Sequence, residues 1–188
     1  QREWMFRIAL HPAFTPIWTR MVNYKGSSAH SVDDLIGYLQ NHRAGGRPQP
    51  LFAFLNLMGT HLPYRPPRAV LEQLTPGLDS AAYQFMARFN ADGARWASPV
   101  EEPLEDWQAH TLEAFYDAEI RAQDAHLGRL FAYLKSSGAL RDTAVIITAD
   151  HGEGHGDHGY FGHSFVVNQE LTHVPLIVHL PDGFKVSF

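Results

Sequence analysis

"AVIITADHGEGHGDHGYFGHS", Ala144 to Ser164, changes character at a single residue. Up to Ala149 it is an apolar run, short enough to be a buried strand. From Asp150 onward it holds four histidines, three acids and five glycines. A strand running into so polar a loop puts its chemistry at a sheet edge, and in open α/β sheets ligands gather beyond the carboxyl ends of the strands. Two other apolar runs, "LFAFLNLM" (Leu51 to Met58) and "VPLIVHL" (Val174 to Leu180), read as strands of the same kind. None alternates cleanly with polar residues, as expected for parallel strands covered on both faces.

Helical spacing fills the gaps between these runs. Val32 to about His42 reads as a helix with Ser31 as N-cap and Asp33 and Asp34 favourable to the dipole of its first turn. "RAGGRPQP" (Arg43 to Pro50) is the loop entering the first strand. Ser80 to Asn90 is amphipathic through Ala82, Phe85, Met86 and Phe89. From Pro103 to Ser137 the positions Leu112, Tyr116, Ile120, Leu127, Phe131 and Leu134 keep helical spacing, interrupted by Gln123 and Asp124, with Gly138 as terminal cap. The order of elements predicts an α/β domain, a mainly parallel sheet flanked by helices.

Composition narrows the function classes. A chain of 188 residues suits one domain with a sizeable core. Its formal charge of -5 and pI near 6.2 argue against a nucleic-acid partner. No apolar run approaches the ~20 residues of a membrane helix. Cysteine is absent, so no thiolate site or cysteine nucleophile exists in this chain.

The polar loop admits several readings. His151 and His155 are four apart, the spacing of a helical zinc pair, but Gly152, Gly154 and Gly156 make a helix there costly, about 1 kcal/mol each relative to Ala. The stretch also lacks the alternating acids and single central glycine of a helix-loop-helix Ca²⁺ site. Asp150 and His151 could hold a cation through one carboxylate oxygen and one imidazole nitrogen; spacing alone leaves that reading level with a solvated turn. His61 stands just past the first strand, in "GTHLPYRPP", where Pro63, Pro66 and Pro67 stiffen the exit.

Three ordered blocks carry a resemblance to a known family. "LFAFLNLMGTHLPYRPP", "YDAEIRAQDAHLGRLFAYLKSSGALRDTAVIITADHGEGHGDHGYFGHS" and "ELTHVPLIVHLP" together resemble the sulfatase family of the alkaline-phosphatase-like superfamily. The likeness is clearest over residues 51–181, and residues 1–188 are expected to form an incomplete sulfatase catalytic domain with a partial alkaline-phosphatase-like fold.

The resemblance implies that Asp150 and His151 are metal ligands, for a divalent cation that is most often Ca²⁺. It implies that His61 contacts the sulfate ester and that His163 stands where many members place a lysine against the sulfate. The reaction implied is hydrolysis of a sulfate ester in a sulfated small molecule or glycan. Its nucleophile would be a formylglycine, made from Cys or Ser within a C/S-x-P-S-R motif. That motif is missing here, as is the family's leading aspartate pair. Asp33-Asp34 does not replace the pair, because it opens a helix rather than following a strand. The chain is therefore expected to be a central segment of a larger enzyme and to be inactive alone.

Two other functions remain open on these residues. One is a phosphoryl-transfer member of the superfamily, a phosphonate or phosphodiester hydrolase or a phosphoethanolamine transferase. The other is a non-catalytic sulfatase-like binding module. The resemblance fits a periplasmic, secreted or lysosome-like compartment without fixing one. Glu153, His155, Asp157 and His158 are read as solvated or pocket-rim groups, Asp124 as bonded to a neighbouring loop, and Gly128 as a close-packing position.

Overall fold

The computed structural model describes residues 25–45, 49–91, 103–163 and 166–184. Ser164 and the middle of the 43–50 loop lie outside that set. Five α-helices are described, α1 (Ser28–Ala44), α2 (Arg68–Leu74), α3 (Ser80–Ala91), α4 (Asp106–Ser136) and α5 (Gln169–Thr172), with four strands, β1 (Val145–Thr148), β2 (Gly154–His155), β3 (Phe161–Gly162) and β4 (Leu176–His179).

The 31-residue α4 organises the rest. At about 1.5 Å per residue it runs roughly 46 Å, long enough to serve two separate cores. Its first half presents Leu112, Phe115 and Ala118 to Tyr64, Leu71, Met86, Phe89 and Phe161, joining α2, α3 and the polar loop. Its second half presents Leu130 and Leu134 to Val32 of α1, with Leu55, Leu57 and Val145 packed alongside. Fully burying side chains of this size contributes about 1.5–3 kcal/mol each. Glu105 opens α4 with a reciprocal capping box to Gln108. Gly138 stops the chain beyond it at φ 75°, a left-handed conformation suited to glycine.

Helix α1 begins a turn earlier than its sequence suggests. Ser27, not Ser31, is the N-cap and accepts from the His30 amide. Asp33 thereby leaves the first turn and pairs instead with Arg129 of α4, at 2.7 Å. Asp124 bonds Arg121 one turn away rather than a neighbouring loop, and among the described residues a Cβ built on Gly128 meets no atom within 4 Å, so none of them packs closely on this glycine.

The expected parallel sheet is not what the described residues form. β1 pairs antiparallel with β4, in the register Val145↔His179 to Thr148↔Leu176, and β2 pairs antiparallel with β3. The chain leaving β1 turns through the polar loop and α5 and re-enters beside β1, so no crossover carries it back to the starting end. Residues 51–58, read from the sequence as a strand, form no regular element and no ladder with a described strand. The uniform apolar runs read as two-sided burial, yet Phe52 and Phe54 are 89% and 82% exposed, and Ile146, Leu176 and Val178 share an open face of the β1–β4 pair. Among the described residues no helix is long and apolar enough to cross a membrane.

Candidate active site

His61 is carried by a loop, residues 59–65, that α4 holds in place. The His61 amide donates to the Met58 carbonyl at 3.2 Å. Lys25 Nζ donates to the carbonyls of Gly59 and His61, both at 2.7 Å, and pairs with Glu119 Oε1 at 3.1 Å. The same carboxylate oxygen accepts from the Arg65 amide at 2.6 Å, and Gln123 Oε1 accepts from the Gly59 amide at 3.0 Å. Glu119 and Gln123 are four apart on one face of α4. Gln123, which interrupts the apolar spacing, is thus a loop anchor. The approach is close, because a Cβ on Gly59 would displace the Gln123 amide group that bonds it. Asn90 of α3 bonds Tyr64 in both directions, at 2.8 and 2.7 Å, closing the far end of the loop.

The second strand exit is shaped by close backbone contact. The Gly152 amide donates to the Leu171 carbonyl at 2.8 Å, and a Cβ on Gly152 would strike the Glu170 carbonyl. The β2–β3 pair then folds the chain back so that His163 returns to Glu153, with Nδ1 donating to Oε1 at 3.0 Å.

These two exits converge. The His151 and His163 rings stack with centroids 3.9 Å apart, and His61 meets the His163 ring edge-on at 5.0 Å. All three imidazoles are anchored through Nδ1: His61 to the Leu62 carbonyl at 2.6 Å, His151 to the Gly152 carbonyl at 2.7 Å, and His163 to Glu153. A carbonyl or carboxylate only accepts, so each Nδ1 is the donor. In the neutral ring the lone pair then sits on Nε2. Three Nε2 atoms are left for other partners.

Asp150 stands beside this group with its side chain 88% exposed, Oδ1 lying 3.9 Å from His151 Nε2. A carboxylate oxygen and an imidazole lone pair at that separation can be bridged by a cation with bonds of about 2.3 Å to each. Among the described residues no group of three metal-binding side chains is assembled. Asp150 and His151 therefore fit as part of a cation site and do not complete one.

Two residues of the loop differ from their sequence reading. Glu153 is not solvated: its side chain is 4% exposed. Burial raises the Tyr64 hydroxyl pKa well above its usual value, reinforced by the Glu153 charge and a hydrogen bond to it; burial and the same charge raise Tyr116. His155 packs edge-on against Tyr116 at 4.5 Å, with Nε2 buried and without a hydrogen bond, and burial lowers its pKa. Asp157 and His158 are exposed, as expected. Sequence reasoning also missed Lys25 and Glu119; the one available signal was two polar residues, Glu119 and Gln123, recurring at helical spacing within an apolar helix.

Comparison with known proteins shows the family. A sulfatase family model matches residues 3–187. Among curated relatives, an N-acetylglucosamine-6-O-sulfatase of Bacteroides thetaiotaomicron is 34% identical over 58% of this chain and 18% of its own length. A multifunctional alkaline phosphatase superfamily protein, PehA, of Trinickia caryophylli is 39% identical over 40% of this chain and 14% of its own. Bovine arylsulfatase K is 26% identical over 93% of this chain and 34% of its own. The chain thus spans well under half the length of these relatives. With a family match running almost end to end, the chain belongs to the sulfatase family.

Proposed function

We propose that these residues form part of the active centre of a metal-dependent sulfatase that hydrolyses a sulfate ester of a sugar. The observation that carries the reading is the contact of three imidazoles, each bonded through Nδ1 so that Nε2 is left for another partner, with His151 Nε2 beside the Asp150 carboxylate. His151 Nε2 and Asp150 Oδ1 are the donors offered to a divalent cation, Ca²⁺ by the family resemblance. Such a cation offsets charge that builds on the sulfate oxygens. His163 Nε2 faces the sulfate, and His61, when it carries a proton on Nε2 as well as on Nδ1, gives the Nε2 proton to the ester oxygen as the S–O bond breaks, leaving the sugar as an alcohol and the ring neutral. The nucleophile is assigned to a formylglycine that this sequence does not contain. A sulfated amino sugar is favoured by the relative named for N-acetylglucosamine-6-O-sulfatase activity.

The test uses the complete protein. Release of sulfate from N-acetylglucosamine 6-sulfate or 4-methylumbelliferyl sulfate, lost on chelation and restored by Ca²⁺, is the expected result. Phosphoryl transfer is the second reading, favoured by the multifunctional PehA relative. Hydrolysis of bis(4-nitrophenyl) phosphate with no action on either sulfate would replace the first reading with the second. Inertness toward all three would favour a binding module.

A further inference from the structure

We infer that Lys25 and Glu119 are positioning residues that set the His61 imidazole against His163, an inference that rests on the reading of His61 as the ester-facing group. Lys25 has three N–H directions. All three are engaged, by the Gly59 carbonyl, the His61 carbonyl and Glu119 Oε1. It therefore keeps no donor for a substrate, and its work is done on the backbone to either side of Thr60. Glu119 shares its Oε1 between Lys25 and the Arg65 amide. One ion pair thus ties both ends of segment 59–65 to α4.

The pair is enclosed, its side chains 15% and 8% exposed. A buried ion pair is weak as a source of net stability, and apolar residues of similar volume often do as well. What apolar residues could not supply is direction, toward two carbonyls and one amide at once. The His61 ring depends on that direction. Its hydrogen bond is to the carbonyl of the adjacent Leu62, and its ring neighbour is His163. Where the backbone of residues 59–62 goes, the imidazole goes.

The test is made on the complete protein, with amide hydrogen exchange and turnover of 4-methylumbelliferyl sulfate read together. Lys25→Met keeps the chain length and removes the donors. It should speed exchange across residues 59–65 while leaving the second half of α4 unchanged. It should also lower kcat by about 10- to 100-fold, the scale of a misplacement near 1 Å, with KM within about threefold. Glu119→Gln keeps an oxygen for the Arg65 amide and should stay closer to wild type on both readouts. Lys25→Met with wild-type exchange at 59–65, or with wild-type kcat in an active protein, overturns the inference. A protein inert toward sulfate esters would defeat the proposed function, and the exchange result would still decide the clamp. Should Lys25→Met not fold, Lys25→Arg takes its place, since a planar fork cannot reach three such acceptors. Exchange faster in Lys25→Arg than in Glu119→Gln supports the clamp, and the reverse order overturns it.

Discussion

His151 and His163 lie face to face, their planes 25° from parallel and their centroids 3.9 Å apart. They meet because the β2–β3 pair folds the loop back on itself. The stack gives the proposed metal end and the proposed sulfate end of the site a common wall. Neither ring can shift by much without losing contact with the other, so whatever holds one holds both.

Glu153 is the holder with the most at stake. It accepts from His163 Nδ1, and its buried charge also faces Tyr64 and Tyr116. Glu153→Ala in the complete protein should cost about 1–3 kcal/mol of stability through the unpaired partners. It should lower kcat by about 10- to 100-fold through a loosened His163. Glu153→Gln leaves an oxygen to accept from Nδ1 and should recover part of both. Turnover and thermal midpoint measured side by side check this, and an Ala variant with wild-type kcat would remove Glu153 from the site.

Asp150 should behave in the opposite way, because its side chain is largely in solvent. Asp150→Ala should change the stability of the cation-free protein by no more than about 0.5 kcal/mol. Its effect should appear only when Ca²⁺ is added. The complete wild-type protein, at a Ca²⁺ concentration near 100 times its Kd, should gain about 2.7 kcal/mol, and the variant should gain none. Equal Ca²⁺ stabilisation in both proteins would place the cation elsewhere.

How much of this was legible in the sequence depends on the reach of the interaction. The helices α3 and α4 were readable because apolar spacing is a local signal, and Gly138 marked its own stop. The start of α1 was misplaced because Ser27 and Ser31 are equally good caps, and the choice between them is made by tertiary contacts such as Asp33 with Arg129. Strand direction was not legible at all. A uniform apolar run such as 144–149 is compatible with either ladder, and its exposed face in the structure carries no mark in the residues themselves. His61, Asp150, His151 and His163 are singled out by their motif blocks, which are local signals. Glu153 was missed because a carboxylate among glycines and histidines looks solvated until the hairpin closes over it. Lys25 was missed because its acceptors are backbone carbonyls 34 and 36 residues away, invisible to any side-chain pattern.

The contact between Gly59 and Gln123 offers a test of the loop anchor alone. Gly59→Ala places a methyl against the Gln123 side chain, and overpacking of this kind costs about 1–3 kcal/mol. The far end of a glutamine can yield, but only by giving up its bond to the Gly59 amide. Gln123→Ala should therefore relieve much of the clash when the two changes are combined. A double-mutant cycle by denaturant unfolding should give a coupling of about 0.5–3 kcal/mol; strict additivity would mean that the two residues do not meet.

His155 should make stability depend on pH. Burial lowers its pKa from 6.5, opposed in smaller measure by Glu153, Asp157, Glu113 and Asp117, while Tyr64 and Tyr116 pack against the ring. The unfolded chain then takes up this proton at higher pH than the folded one does. Above 6.5 both states are neutral and the ring contributes its packing in full. As pH falls through 6.5 the unfolded state gains the proton first, and stability drops until the folded pKa is reached. One such group accounts for a slope of up to about 1.4 kcal/mol per pH unit. His155→Phe keeps an aromatic ring against Tyr116 and removes the titration. Unfolding free energies measured between about pH 5 and 7.5 should fall more steeply toward acid in the wild type than in His155→Phe. Parallel curves would show that His155 is no more reluctant to take a proton folded than unfolded.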